Sequence, residues 1–262
     1  MKRLSVIVPV VGSLGSLWLK RLRELKSTMT KIEVILIGNV DGHDVRGLKY
    51  IKVRCSRSLA RNLGIIVSKG EYILFLDSDQ FLSKSLLSEL VDLIDRGFDA
   101  ALIPERFIGL TIWGKASATW KQAIQRIDRD NSCIPRLYSR KALERIGPLR
   151  SELTILEDYE LCLRAKKLRL KMIWLKNPLI HLEPNNLTEY LKKWSTYAES
   201  LPQSIKAVGI KNIARKYSKL PLILIEALRS CSGIGLKLAL LSLTLIKFLA
   251  LVISFLRRPL RR

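Results

Sequence analysis

Short apolar runs that recur between amphipathic stretches constrain this chain more than any other feature of its sequence. Residues 4–11 are rich in Val and Ile, and Glu33-Val34-Ile35-Leu36-Ile37, Tyr50-Ile51-Lys52-Val53 and Tyr72-Ile73-Leu74-Phe75-Leu76 repeat the pattern. Between them, Leu14, Leu17, Trp18, Leu22 and Leu25, and then Leu59, Leu63, Ile66 and Val67, are spaced for one face of a helix. A strand that is apolar on both sides must be covered on both sides. The pattern therefore predicts an α/β fold, with a mostly parallel sheet between helical layers. Right-handed crossovers place the C-terminal ends of such strands on one edge, where ligands bind. Residues 9–12, 39–44 and 77–80 should converge there. Further on, the pattern predicts helices over 83–96, 139–146 and 157–169, and strands over 99–103, 133–138 and 171–175. Residues 105–131, with Trp113 and Trp120, read as less regular, and His181 falls in a late loop.

The chain has 262 residues and a formal net charge of +23, yet 48% of its residues are hydrophobic. That hydrophobic share excludes a disordered basic tail protein. It leaves a nucleic-acid binder, or a protein that lies against an anionic membrane and handles anionic substrates. Residues 1–195 hold 34 basic and 21 acidic residues, whereas 196–262 hold 12 basic and 2 acidic. The last quarter is thus the more lopsided part. Cys55, Cys133, Cys162 and Cys231 are far apart with no CxxC pair, so reduced thiols are expected rather than a zinc knuckle or disulfide framework. The run after Met1-Lys2-Arg3 is too short for a signal peptide, and the bulk of the chain is expected in the cytoplasm.

Three groups can carry chemistry. Asp77-Ser78-Asp79 ends the most apolar strand, where two carboxylates can lean toward a hard cation, Mg2+ or Mn2+; a solvated turn is the plainer explanation. Glu157-Asp158 opens a helix, as a general base or simply as favourable charge at a helix N-terminus. His181, one of two histidines, is a metal ligand or a polar loop residue.

Together these pieces resemble a family 2 glycosyltransferase of GT-A fold over residues 4–195. The likeness rests on Arg57-Ser58-Leu59-Ala60-Arg61-Asn62-Leu63-Gly64, on Lys69-Gly70-Glu71-Tyr72-Ile73-Leu74-Phe75-Leu76-Asp77-Ser78-Asp79, and on Arg136-Leu137-Tyr138-Ser139-Arg140. It continues through Ile146-Gly147, Glu157-Asp158-Tyr159-Glu160-Leu161-Cys162-Leu163-Arg164 and the late His181. The resemblance implies inverting transfer from a nucleotide-diphosphate sugar, UDP being the common choice. Pro9, Asp41, Arg61, Asp77 and Asp79 would bind the donor. Asp77 would touch the nucleoside, Asp79 the metal, and His181 the metal or a phosphate. Asp158, next to Glu157, would deprotonate the acceptor hydroxyl. Two departures bear on the nucleotide: Pro9-Val10-Val11-Gly12 and Val40-Asp41-Gly42-His43-Asp44 stand where the family usually has Pro-Thr-Tyr-Asn and Asp-Asp-Gly-Ser, so the family's base-recognising Asp is either missing or displaced onto Asn39 or Asp41. Glu105-Arg106, Trp113 and Trp120 occupy the usual acceptor-facing region, with core packing the alternative for each Trp.

Residues 196–262 read as a basic and apolar helical extension that associates with a membrane. Residues 236–256 reach the roughly 20 needed for a span, but Lys237 and Lys247 interrupt them. A single crossing would also put the terminal arginines on the wrong side. Helices lying in the interface avoid both conflicts. The sequence-level expectation is therefore a membrane-associated glycosyltransferase, its catalytic domain on the cytoplasmic side, acting on a lipid-linked or cell-surface glycan. A polyprenyl-phosphate glycosyl synthase is the second enzyme reading, and a basic binding module the non-enzymatic one. No nucleic-acid motif accompanies the charge, so nucleic acid is not expected as a partner.

Overall fold

The computed structural model describes residues 4–12, 14–28, 32–40, 45–129 and 134–256, with 28, 251 and 254–256 described through their backbone. In chain order the elements are β1 (Leu4–Gly12), α1 (Ser16–Thr28), β2 (Ile32–Val40), β3 (Lys49–Lys52), α2 (Arg57–Val67), β4 (Tyr72–Phe75) and β5 (Gln80–Phe81). They continue with α3 (Lys84–Arg96), β6 (Ala100–Leu102), β7 (Glu105–Ile108), α4 (Ile112–Ile127), β8 (Pro135–Ser139), α5 (Arg140–Ile146) and α6 (Glu157–Lys167). The last are β9 (Met172–Trp174), β10 (Leu179–Leu182), α7 (Leu187–Val208), α8 (Ile210–Tyr217), α9 (Leu220–Arg229) and α10 (Ile234–Leu256).

Two compact units result. The first comprises residues 1–104, 134–153 and 157–179, and the second 105–133, 154–156 and 180–262. The first unit holds a seven-stranded sheet in the order β3-β2-β1-β4-β8-β6-β9. β1, β2, β3 and β4 run parallel, as do β6 and β9, while β8 is antiparallel to both of its neighbours. Strand alternation sorts the apolar residues onto two faces. Val6, Val8, Leu36 and Leu74 pack with Trp18 and Leu22 of α1 and with Leu86 and Leu90 of α3. Ile7, Ile35, Ile73 and Phe75 pack with Ala60 of α2, Ala142 and Leu143 of α5, and Leu161 of α6. Each buried Val, Ile or Leu contributes roughly 1.5–3 kcal/mol. The registers Gly12↔Val40 and Ile7↔Phe75 bring the C-terminal ends of β1, β2 and β4 to one edge, as the sequence pattern requires. Serine side chains cap the helices on the sheet: Ser56, Ser83 and Ser139 accept from the backbone N–H of Leu59, Leu86 and Ala142.

Two helix faces differ from expectation. In α1, Leu19 is buried and Leu17 exposed, because the helix turns its Trp18 edge to the sheet. In α2, Ile66 is 76% exposed and Leu59 is also exposed; the buried residues are Ser58, Ala60, Arg61 and Gly64. Gly64 explains the rotation. A Cβ there would lie 2.4 Å from Ile7 Cγ2 and 3.0 Å from Ile37 Cδ1, so only glycine lets α2 approach the sheet this closely. Gly64→Ala should therefore destabilise the protein by about 1–3 kcal/mol despite alanine's better helix propensity. Denaturant titration of the variant checks this, and an unchanged midpoint contradicts the close packing.

In the second unit, residues expected to be irregular form β7 and the 16-residue helix α4. Thr111 Oγ1 caps α4 by accepting from Gly114 N–H, and Ala116, Trp120 and Ala123 form its buried side. Alanine and glycine supply much of that face, which hides the helical period from a hydropathy reading. Trp113 and Trp120 pack in a core with Tyr190, Ile223, Ala227, Leu240 and Leu243, the alternative weighed for them above. The composition change at 195/196 falls inside the continuous helix α7, which starts where Asn186 accepts from Glu189 N–H at 2.8 Å. Among the described residues, no helix is long and apolar enough to cross a membrane. Lys247 of α10 turns inward, its amine 4.6 Å from the Trp120 ring centroid, 5.3 Å from Trp194 and 5.7 Å from Tyr190. Burial, then the charges of Lys121 and Lys193, pull its pKa down to about 7, against the opposing influence of Glu183.

Candidate active site

The strand edge of the first unit is built around one buried arginine. Arg61 is fully enclosed. Its Nη2 donates to Asp77 Oδ1 at 2.7 Å, and its Nη1 pairs with Asp158 Oδ1 and lies 3.5 Å from Glu157 Oε1. The guanidinium rests over the Phe75 ring, 5.5 Å from its centroid. A planar fork with several donors suits this task, because one cation must satisfy carboxylates from three directions. Arg136 Nη1 holds Asp77 Oδ2 at 3.0 Å, and Arg57 Nε holds Glu157 Oε1 at 3.1 Å. Neither contact is legible in the sequence, where both arginines stand inside longer motifs. Ser58, Arg61 and Asn62 do share a helical i, i+3, i+4 spacing, a polar stripe that signals an interior network.

The same stripe positions the approach to α6. Asn62 makes a reciprocal pair with Leu149, donating to its carbonyl at 2.8 Å and accepting from its N–H at 2.9 Å. Ser58 Oγ donates to Leu153 O and Ser56 Oγ to Ser151 O. Arg164 donates to Ile146 O and Pro148 O and pairs with Glu160, which ties α6 back to the same loop. Leu156, the residue before α6, holds a left-handed φ of 63°, a conformation that costs a leucine free energy and that clusters at functional sites.

The Asp77 turn is equally well held. Asp77 N–H donates to Gln80 Oε1, Gln80 N–H returns to Asp77 O, and Trp18 Nε1 donates to Gln80 O. A loosely solvated turn is therefore excluded. Asp79 is half-buried within it. Pro9 is half-buried on β1, and Asp41, the proposed base-recognition residue, lies outside the described residues.

Glu157 and Asp158, adjacent in sequence, occupy different environments. Burial, and then the Asp158 charge, raises the Glu157 pKa, while Arg57 and Arg61 oppose the rise. The Glu157 side chain is 4% exposed and that of Asp158 is 21% exposed. Glu157 thus braces the arginines from within, and Asp158 is the more exposed of the two.

Among the described residues, no three His, Cys, Asp or Glu side chains are grouped to hold a metal ion. A half-buried carboxylate at Asp79 nevertheless fits Mg2+ or Mn2+, which bind through one or two carboxylates and complete their shells with substrate phosphates and water. His181 belongs to the second unit. Its Nδ1 lies 2.6 Å from Glu105 Oε2 and its ring 5.2 Å from Phe107, so a carboxylate fixes the imidazole's orientation.

Residues 43–147 match the model for Glycosyl transferase family 2. The matched segment contains Arg61, Asp77, Asp79 and Arg136 and stops before Glu157. In fold the chain is similar to the mannosyltransferase PcManGT from Pyrobaculum calidifontis in complex with GDP-Man and Mn2+, at 13% identity and a TM-score of 0.57 over 100% of this chain and 88% of that one. It is also similar to glucosyl-3-phosphoglycerate synthase from Mycobacterium tuberculosis in complex with Mn2+, uridine-diphosphate and phosphoglyceric acid, at 13% identity and 0.54 over 80% and 79%. A third likeness is to residues 1–349 of S. aureus TarS in complex with UDP-GlcNAc, at 18% identity and 0.50 over 96% and 80%. The chain spans 54% of the length of a longer TarS structure. No curated protein matches it in sequence.

Proposed function

We propose, from the match of residues 43–147 to the model for Glycosyl transferase family 2, that the protein moves a sugar from a nucleotide-diphosphate donor to an acceptor hydroxyl with inversion at the anomeric carbon. One observation carries the reading: Arg61 joins Asp77, at the end of β4, to Asp158, at the start of α6. On this reading a single buried group holds the donor-side and base-side carboxylates together. Asp77, aligned by Arg61 and Arg136, holds the nucleoside end of the donor. Asp158 takes the proton from the attacking hydroxyl, so attack and departure are in line. Asp79 would hold Mg2+ or Mn2+, which neutralises charge on the leaving diphosphate when bound. UDP is the proposed nucleotide and a lipid-linked or cell-surface glycan the acceptor. The protein works in association with membrane lipids, its catalytic unit on the cytoplasmic side.

Purified protein should release nucleoside diphosphate from one member of a nucleotide-sugar panel when Mn2+ and an acceptor extract are supplied. Release from no donor, with donor binding also absent by calorimetry, overturns the enzymatic reading.

A further inference from the structure

Helix α10 carries two apolar stripes. The inner one, with Ala239, Leu240 and Leu243, is buried against α4 and α7, and the Lys247 amine enters its aromatic cage there. The outer one, Ile234, Leu238, Leu241, Leu245, Phe248 and Val252, recurs every three or four residues and is exposed along its length, with Phe248 at 61%. A contiguous exposed stripe of this size on a helix otherwise packed into a core marks an interaction surface.

Charge selects the occupant. Residues 196–262 hold 12 basic and only 2 acidic residues, and Lys237 is exposed on α10 itself. Two copies brought together through this face would oppose like fields, whereas an anionic lipid surface complements them. Crossing the bilayer is disfavoured by the inner stripe: α10 would have to leave α4 and α7 and carry Lys247 from its cage into hydrocarbon. We propose that α10 lies flat in the headgroup boundary of an anionic membrane, its outer stripe inserted and Lys247 retained within the protein. This inference rests on the membrane-associated reading above, and not on the catalytic chemistry.

The full chain, mixed with preformed vesicles of about three parts phosphatidylcholine to one part phosphatidylglycerol, tests it by co-sedimentation. The expected result is binding to these vesicles, weaker binding to phosphatidylcholine alone, and a lower partition coefficient at high salt. Leu241→Glu combined with Phe248→Glu, both exposed positions, should lower the partition coefficient at least about tenfold with an unchanged melting temperature. Three outcomes overturn the proposal: undiminished binding of the double variant, binding that resists extraction by alkaline carbonate (a span), or absence of vesicle binding, a dimer that the double variant dissolves then pointing to a second copy. Donor release is measured separately, so its failure beside intact vesicle binding would count only against the enzymatic reading.

Discussion

Asp158→Asn is expected to lower the rate of transfer to a hydroxyl acceptor by about 10²–10⁴-fold, the usual contribution of a positioned general base. Asparagine preserves the side-chain volume and an oxygen able to accept from Arg61, so donor binding and melting temperature should change little. The loss should appear in kcat and not in KM for the donor. The measurement is initial-rate kinetics with donor and acceptor varied independently. Transfer that survives within about twofold removes Asp158 as the base and favours a phosphate acceptor, which is already an anion and needs no deprotonation. The outward position of Asp158 favours the hydroxyl reading. Its side chain is 21% exposed, against 4% for Glu157, so the more accessible member of the pair is the one given the proton.

Arg61→Met should be the most damaging single substitution for stability, costing about 3–5 kcal/mol at neutral pH. The cost arises less from lost attraction than from what remains: Asp77, Asp158 and Glu157 around a pocket from which the central cation has gone, with Arg57 and Arg136 left to compensate at its rim. The pH dependence has a definite sign. Burial and the Asp158 charge already raise the Glu157 pKa against the opposition of Arg57 and Arg61, so removing Arg61 lifts it further above the unfolded value. The contribution of Glu157 is then fully present below its unfolded pKa and is lost as pH rises through the folded one. The gap between wild type and variant should therefore narrow as pH falls from about 7.5 toward about 5, as read from denaturant midpoints. A gap that is constant across that range would mean that Arg61 matters through its packing over Phe75 instead of its charge. Arg61→Lys should recover only part of the loss, since one ammonium cannot face three carboxylates at once.

How legible the fold was depended on the scale of the interaction. β4 and its terminal Asp77 were plain in the sequence, because a run buried on both faces has to be apolar throughout. That the C-terminal ends of β1, β2 and β4 share one edge followed from crossover chirality. The buried face of α2 did not, because it is polar and small: Ser58, Arg61 and Gly64 replace the leucines that a hydropathy pattern seeks. α4 was hidden for the same reason, its inner side being largely alanine.

The candidate site residues stand out in the sequence, and the contacts among them do not. Arg61, Asp77, Asp79, Glu157 and Asp158 stood out through their order along the chain. That Glu157 braces while Asp158 faces outward depends on burial, which two neighbours on a helix need not share. Lys247 is the clearest case: in sequence it interrupts an apolar segment, and in the fold three aromatic rings from α4 and α7 enclose its amine. Alternation, helical period and charge are properties of neighbours along the chain, so the sequence alone determined the α/β architecture, the shared edge of strand C-termini and the basic C-terminal helices. Which carboxylate meets which arginine, and whether a lysine points to water or to tryptophan, depends on residues distant in sequence, and only tertiary packing decided it.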